Sequence, residues 1–273
     1  MIARTGPAAI PVIAPLVIAP LVIVPLVIAL SLLCAQPAGA IINGKPVVPN
    51  DAYAHSVVGL VPVDQYGHPG ACTGILLTPQ AVLTAAHCVS GDVKSVSVVF
   101  DLTIGETHKV AVTRTVINPA YKDVEGKFNP GDIAVIFLAA HNFPTTIMPL
   151  DRDDSFKEGE QFVFLGYGRG IAEQYDSTGI LRKAAIAATG RETPREVELQ
   201  PLSNAWPCDG DSGGPVLRKD MSGHYAVSGV MDAVYAGPIG ECLFRASFMT
   251  PIHAYADWIS STLAEAQATA QKN

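Results

Sequence analysis

Positive charge is scarce in this sequence of 273 residues. It contains 18 lysines and arginines against 25 aspartates and glutamates, which gives a formal net charge of −7. A net negative surface repels the phosphates of nucleic acids and the headgroups of anionic lipids. We therefore expect no nucleic acid as a partner and no stable association with a membrane surface.

Charge is almost absent from the first forty residues. The stretch PVIAPLVIAPLVIVPLVIALSLLC, residues 11–34, has no charged side chain, and only Arg4 precedes it. A positive start, an apolar middle and the sequence AGA at residues 38–40 are typical of a secretory signal peptide. The prediction is that residues 1–40 are removed and that residues 41–273 are secreted.

Two other interpretations of the N-terminal segment stay open. The apolar run is long enough to cross a bilayer, so an uncleaved membrane anchor is the alternative. Its repeated prolines are unfavourable in a helix and, with AGA, favour cleavage over anchoring. A lipoprotein attached at Cys34 is disfavoured because the preceding residue, Leu33, is bulky.

Cysteine is also scarce, and no CxxC pair occurs. Cys34 leaves with the predicted signal peptide, so four cysteines remain: Cys72, Cys88, Cys208 and Cys242. An even number in an exported chain predicts two disulfides, for which the sequence allows three pairings. The spacing argues against a zinc site.

Long apolar runs are missing after Ser56. Short runs rich in Val and Ile, such as TGILL and DIAVIFL, alternate instead with Gly, Pro, Asn and Asp. This pattern predicts an all-β barrel or sandwich, and the alternation in VKSVSVVF indicates antiparallel strands. Apolar residues at helical spacing predict one C-terminal helix within residues 252–270. The polar stretch 151–160 is the candidate crossing between two lobes.

CDGDSGGPV, residues 208–216, is the most specific motif. Ser212 lies among Gly210, Gly213 and Gly214, which allow positive φ angles and a close approach to a ligand. A serine nucleophile needs such a backbone if N–H groups are to face an oxyanion beside it.

Two further motifs supply partners for a nucleophilic serine. LTAAHC, residues 83–88, carries His87 next to a cysteine that a disulfide can hold, and a histidine can act as general base. GDIAVIFL, residues 131–138, places Asp132 at the start of an apolar strand. An aspartate there is commonly a turn residue, but its position between His87 and Ser212 favours a functional one.

Together with IING at residues 41–44 and GYG at residues 166–168, these motifs resemble the chymotrypsin-like (trypsin-like) serine proteases, over nearly all of the predicted mature chain. The resemblance implies two six-stranded antiparallel β-barrels with a C-terminal helix, meeting near residues 145–160. It implies a triad of His87, Asp132 and Ser212, and an oxyanion hole formed by the N–H groups of Gly210 and Ser212. Its disulfides would join Cys72 to Cys88 and Cys208 to Cys242.

The resemblance also implies an activation ion pair. In this family the new amino terminus pairs with the aspartate before the nucleophile, here Ile41 with Asp211. The bond between Ala40 and Ile41 would then be both the signal-peptidase site and the activation site, so that export by itself produces the active enzyme. The alternative is an earlier signal cut that leaves a short propeptide.

The sequence departs from the family at the predicted substrate pocket. Trp206 stands at the position of the pocket base, where trypsins carry aspartate, and Val234 stands near the pocket wall. We therefore expect cleavage after small or medium apolar residues, not after Lys or Arg. Asp209, at the pocket rim, either attracts a basic substrate residue or is a solvated loop charge, and the second interpretation is preferred.

Asp232, counted with the pocket residues, is a second departure. It replaces a serine that in the family hydrogen-bonds the triad aspartate, and two adjacent carboxylates disfavour double ionisation. Either Asp232 points away, or the alignment is shifted by a residue or more, or the site is detuned.

The leading hypothesis is therefore a secreted serine endopeptidase acting on proteins or peptides as a monomer. The alternative is a secreted protein of the same fold with weak or no catalysis that acts by binding. We expect no cofactor and no metal ion, since no carboxylate cluster between Asp101 and Glu125 matches the calcium loop of some relatives.

Overall fold

Two closed antiparallel barrels make up most of the protein. The computed structural model describes residues 41–105, 107–122, 130–171, 174–193, 195–236, 242 and 244–271. These residues form thirteen strands, and one α-helix follows the last strand. The all-β class and the two-barrel architecture predicted from the sequence are confirmed.

The first barrel contains six strands with buried Val, Ile and Leu side chains. They are β2 (Val57–Asp64), β3 (Cys72–Thr78), β4 (Ala81–Thr84), β5 (Val93–Val99), β6 (Lys109–Ile117) and β7 (Ala134–Leu138). The barrel closes in the order β2-β3-β4-β7-β6-β5. Strands β3, β4 and β7 are buried almost throughout, which explains why their sequences are nearly continuous apolar runs.

The second barrel closes in the same way. Its strands are β8 (Gln161–Gly166), β9 (Arg182–Thr193), β10 (Glu196–Pro201), β11 (Pro215–Lys219), β12 (Tyr225–Ala236) and β13 (Phe244–Pro251). They are ordered β9-β10-β13-β12-β11-β8, and pairing of β8 with β9 closes the ring. A two-residue strand, β1 (Lys45–Pro46), adds to β9 outside the ring.

Residues 139–160 connect the two barrels and contain the predicted crossing, residues 145–160. The guanidinium group of Arg218 in β11 holds this segment. Its Nη1 lies 2.5 Å from Oδ2 of Asp151, and its Nη2 donates to the carbonyl of Ser155 at 2.5 Å. The polar composition of the segment thus reflects ion pairs with the barrel as well as exposure to water.

The chain ends in a 3-10 helix, Ile252–Tyr255, followed by helix α1, Ala256–Ala270. Ile252 and Ile259 are fully buried, and Leu263 packs at the edge of the same core. The predicted C-terminal helix is confirmed. In the part of the chain that the structure describes, no helix has the length and hydrophobicity needed to cross a membrane.

Candidate active site

His87 lies just after strand β4, in a short 3-10 helix that spans Ala86–Cys88. Cys88 is joined to Cys72 at the start of β3, and this disulfide ties the residue after His87 to the neighbouring strand. The chain carrying His87 is therefore anchored on both sides, by the β4 ladder and by the disulfide. A loop of this length contributes about 3 kcal/mol in the chain-entropy account.

Asp132 lies next to His87 and holds it through two contacts. The backbone N–H of His87 donates to Oδ1 of Asp132 at 2.8 Å, and Nδ1 of His87 lies 2.6 Å from Oδ2. Asp132 is buried just before β7, which pairs with β4, so the sheet brings the two residues together. Burial by itself raises the pKa of Asp132, but the hydrogen bonds and charge of His87 outweigh burial, and the pKa falls below its usual value.

Ser212 belongs to the second barrel, on the loop before β11. Its carbonyl oxygen accepts the N–H of Thr73 at 2.8 Å and lies 3.7 Å from Sγ of Cys88. These contacts join the loop to the strand and the disulfide that hold His87. The structure thus brings all three predicted triad residues to the junction of the two barrels.

The loop around Ser212 leaves two N–H groups available. Asp211 N–H donates to the Cys208 carbonyl, and Gly213 N–H donates to the Met231 carbonyl. Among the described residues, no acceptor takes the N–H of Gly210 or of Ser212. These are the two groups that the sequence predicts for an oxyanion hole.

Gly210 needs to be a glycine for two reasons. Its φ is +95°, and a Cβ there would lie 2.8 Å from the Cα of Gly168. Its carbonyl is turned inward and accepts the hydroxyl of Thr73 at 2.9 Å. This orientation of the peptide units is what exposes N–H groups on the other side of the loop.

Asp211 is fully buried and is surrounded by N–H donors. Gly168 N donates to Oδ1 and Cys208 N to Oδ2, each at 2.8 Å, and the backbone N–H of Ile41 donates as well. Burial raises the pKa of Asp211 to about 8, against the lowering effect of these donors. Ile41 itself is fully buried, so the predicted partners of the activation ion pair are in contact.

Trp206 lies beside the second disulfide. It forms a two-way backbone bridge with Ile42, and it packs against Ile42, Cys208 and Cys242. The disulfide between Cys208 and Cys242 is present, and with the one between Cys72 and Cys88 the pairing implied by the family is confirmed. Val234 is part of β12, where it pairs with Ser247, but its side chain lies outside what the structure describes.

The preferred interpretation of Asp209 as a solvated loop charge stays a prediction, to which the structure adds an ion pair. Its side chain is 69 % exposed, yet Oδ2 lies 2.5 Å from Nη2 of Arg169, a guanidinium that is only 1 % exposed. The backbone N–H of Arg169 also donates to the Asp209 carbonyl at 2.8 Å. Asp209 therefore neutralises a buried cation while most of its own side chain stays exposed to water.

Sequence reasoning missed Arg169. With Asp209, Gly210 and Lys109 it lines a cleft of about 570 Å³ that opens beside the predicted oxyanion hole. The available signal was an arginine directly after GYG, at the end of an apolar strand. Such a charge needs a partner, and Asp209 was one of the acidic residues left without an assigned partner.

Asp232 does not point away from the triad. Its carboxyl group is buried and hydrogen-bonded to Asp132, and Oδ2 accepts the hydroxyl of Thr250 at 3.3 Å. Of the three alternatives left open by the sequence, the first is wrong. The assignment of Asp232 to the substrate pocket stays a prediction.

Comparison with known proteins gives the family. The family model described as Trypsin matches residues 41–259. The chain belongs to the trypsin family. The matched region begins at Ile41 and contains both barrels, so the family assignment applies to the whole of the described fold except the end of helix α1.

Individual relatives agree with this assignment. A chymotrypsin of Phaedon cochleariae is 28% identical over 246 residues, which cover 82% of this chain and 83% of the relative. Neutrophil elastase of Mus musculus is 27% identical over 248 residues, covering 86% and 87% of the two chains. By family, this protein is a serine-type endopeptidase, a hydrolase.

Solved structures agree on the fold. Neuropsin, a serine protease expressed in the limbic system of mouse brain, superposes with a TM-score of 0.63. The match covers 82% of this chain and all of neuropsin, at 22% identity. At that identity the likeness bears on the fold alone.

Proposed function

We propose that the protein is a secreted serine endopeptidase that cleaves peptide bonds through an acyl-enzyme on Ser212. The observation that supports this most directly is the pair of contacts between His87 and Asp132, at 2.8 Å and 2.6 Å. They orient an imidazole at the junction where the Ser212 loop is fixed to the first barrel. Its reaction is acyl transfer, and its substrates are proteins or peptides.

In each half of the proposed reaction His87 first accepts a proton and then donates it. Nε2 takes the proton of the Ser212 hydroxyl as Oγ attacks the scissile carbonyl, and then gives it to the leaving amine. Water, deprotonated by the same nitrogen, attacks the acyl-enzyme and releases the carboxylic acid with Ser212 restored. Asp132 keeps the Nδ1–H tautomer and stabilises the imidazolium that forms twice in the cycle.

The N–H groups of Gly210 and Ser212 bind the oxyanion of each tetrahedral intermediate. This assignment is supported by the hydrogen bonds of the loop, since no acceptor among the described residues takes either N–H group. Each such donor contributes about 10²–10³ in kcat in other enzymes of this chemistry.

Activation is assigned to the bond between Ala40 and Ile41. The buried position of Ile41 and its contact with Asp211 support this, because a cut there places the new ammonium group beside the carboxylate. The charge of that ammonium then compensates the buried anion that holds Gly168 and Cys208 in place. Export and activation would be one cleavage.

For the substrate we propose small or medium apolar residues before the cut. Trp206 supports this because it stands, beside the Cys208–Cys242 disulfide, where a trypsin carries a carboxylate. A library of peptide substrates measures the preference directly. Selective cleavage after Arg would contradict the assignment of the pocket.

An intact-mass measurement of the exported protein, with and without a fluorophosphonate, tests the proposal as a whole. We expect a starting mass of residues 41–273 with two disulfides, and one covalent adduct on Ser212. The variant Ser212→Ala should show the same starting mass and take up no reagent, which controls for reaction at other hydroxyls.

Each other outcome identifies the failing step. The mass of residues 41–273 without an adduct would contradict catalysis and favour a protein of this fold that acts by binding. A heavier and unlabelled species would show that the signal cut lies upstream and that a second protease removes a propeptide. Recovery of the full chain in the membrane fraction would contradict secretion.

A further inference from the structure

Asp232 occupies an irregular position in strand β12. Its neighbours Met231 and Ala233 pair with Met249 and Phe248 of β13, two adjacent residues, so Asp232 is the extra residue of a β-bulge. A bulge redirects a side chain that a regular strand would aim elsewhere. Here the side chain is 7 % exposed and meets the candidate triad.

The contacts of Asp232 place it directly against Asp132. The carboxyl groups of the two residues share a hydrogen bond. One ligating atom from each of His87, Asp132 and Asp232 lies within 4.8 Å of the others. At this separation two ionised carboxylates repel each other strongly, so the pair holds one proton.

The surroundings decide which of the two carboxyl groups keeps the proton. Asp132 accepts two hydrogen bonds from His87, and these stabilise its ionised form. Asp232 accepts a single long hydrogen bond from Thr250 and has no ion pair among the described residues. Burial, together with the charge of Asp132, raises the pKa of Asp232 to about 10.

The other ionisable groups around Asp232 favour the same answer. The charge of Glu196 in β10 also disfavours a charge at Asp232. Burial raises the pKa of Tyr255, from the 3-10 helix before α1; Arg195 opposes the shift and Asp132 adds to it. The elements packed around Asp232 thus present two carboxyl groups and a phenol, with His87 beyond Asp132.

We propose that Asp232 is a neutral carboxylic acid that donates its hydroxyl hydrogen to Asp132 and so holds the carboxylate that orients His87. The proposal rests on the triad of the proposed function. Asp232 is a positioning residue, because it acts on His87 through Asp132. Its hydroxyl replaces the serine donor expected at this position, so the extra carboxyl group supports the triad instead of detuning it.

The test compares two variants at Asp232. Asp232→Asn keeps the shape and a hydrogen-bond donor but cannot ionise, whereas Asp232→Leu removes the donor. We expect kcat of Asp232→Asn to stay within about threefold of wild type, and that of Asp232→Leu to fall about tenfold or more at similar KM, as loss of a group acting on the transition state predicts. Full activity in Asp232→Leu would overturn the proposal.

The acid limb of the kcat/KM profile distinguishes a neutral from an ionised Asp232. If Asp232 is neutral, Asp232→Asn removes no charge, and the limb stays where it is. If Asp232 is ionised, the substitution removes an anion near the imidazolium, and the limb moves to lower pH by about one unit. The second result would overturn the proposal.

An unfolding experiment separates this proposal from the proposed function. On a Ser212→Ala background, wild-type Asp232 and Asp232→Asn are unfolded in urea at pH 5 and at pH 8. A neutral Asp232 ionises on unfolding, so the stability of the Asp232 protein falls relative to Asp232→Asn as the pH rises. A constant difference would overturn the proposal, whatever the labelling of Ser212 shows about catalysis.

Discussion

Oδ2 of Asp132 lies 2.6 Å from Nδ1 of His87, and Oδ1 of the same carboxylate accepts the backbone N–H of His87 at 2.8 Å. Each oxygen of Asp132 therefore contacts His87. The arrangement fixes the position of the imidazole and places the hydrogen on Nδ1, which leaves Nε2 able to accept a proton.

Asp132→Asn should lower kcat by about 10³–10⁴, because an amide that donates to Nδ1 selects the wrong tautomer. The measurement is kcat on an apolar peptide substrate, together with the thermal midpoint. Asp51→Asn is a matched control. It removes an ion pair, in which Nζ of Lys183 lies 2.7 Å from Oδ1 of Asp51, and this pair lies outside the candidate site. Equal losses of kcat in the two variants would contradict a catalytic Asp132.

Gly210→Ala should lower kcat by about 10²–10³, the size of the effect of losing an oxyanion donor. The added Cβ would lie 2.8 Å from the Cα of Gly168, so the loop has to move and carry its N–H groups with it. Gly159→Ala controls for backbone strain, because Gly159 has a φ of +78° but nothing within 4 Å of a Cβ. If both variants retain wild-type kcat, Gly210 is not part of the oxyanion hole.

One residue added before Ile41 should remove most of the activity, because it displaces the α-ammonium group from Asp211. A free α-amine has a pKa of about 8, and pairing with a buried carboxylate raises it. Activity that depends on the ammonium group is thus lost as the pH rises through this raised pKa.

The comparison uses two preparations that begin at Ile41 and at Ala40, assayed for kcat between pH 6 and pH 10. Both are checked by intact mass. Equal activity in the two preparations would contradict the proposed switch.

Arg218→Lys should reduce the free energy of unfolding by about 1–3 kcal/mol, the usual cost of breaking a partly buried charged network. The planar guanidinium contacts Asp151 and Ser155 at once and lies over the rings of Phe156 and Phe162. A lysine ammonium cannot reproduce this geometry.

Arg152→Lys is the matched control for Arg218. Its partner Asp257 is fully exposed, and we expect a change of about 0–0.5 kcal/mol. Urea unfolding of the Ser212→Ala forms measures both variants. A similar small change in both would show that the connection between the barrels does not depend on Arg218.

Glu196→Gln should change how stability depends on pH. Burial raises the pKa of Glu196 to about 7, with Glu198 adding to the shift. In the folded protein the group keeps its proton up to about pH 7, whereas in the unfolded chain it ionises near pH 4.5. The contribution of Glu196 to the wild-type free energy of unfolding therefore falls as the pH rises between these values.

Glu196→Gln lacks this pH-dependent loss of stability. Relative to wild type, its free energy of unfolding should therefore rise between pH 4.5 and pH 7, and the difference should stay constant above pH 7. Urea unfolding at four pH values gives the curve. Glu265→Gln, on the exposed face of α1, is the matched control for loss of a carboxylate. A flat difference for Glu196→Gln would place its ionisation outside this range.

The sequence by itself determined the fold class, the number of disulfides and the positions of the three motif residues. Short Val-rich and Ile-rich runs reveal strands because each strand buries at least one face. CDGDSGGPV and TAAHC are contiguous, so their geometry is local and their meaning is readable from the chain. In the first motif the backbone requires a glycine at position 210, because no other residue adopts the φ of Gly210 easily.

Only the tertiary structure decided the partner of Arg169 and the direction of Asp232. Arg169 and Asp209 are forty positions apart, and nothing local shows that one neutralises the other. The direction of Asp232 depends on a bulge in β12 that moves its side chain from the strand's regular register to the carboxyl group of Asp132. A one-residue shift reverses the face of a strand, and a pattern of residue types does not record it.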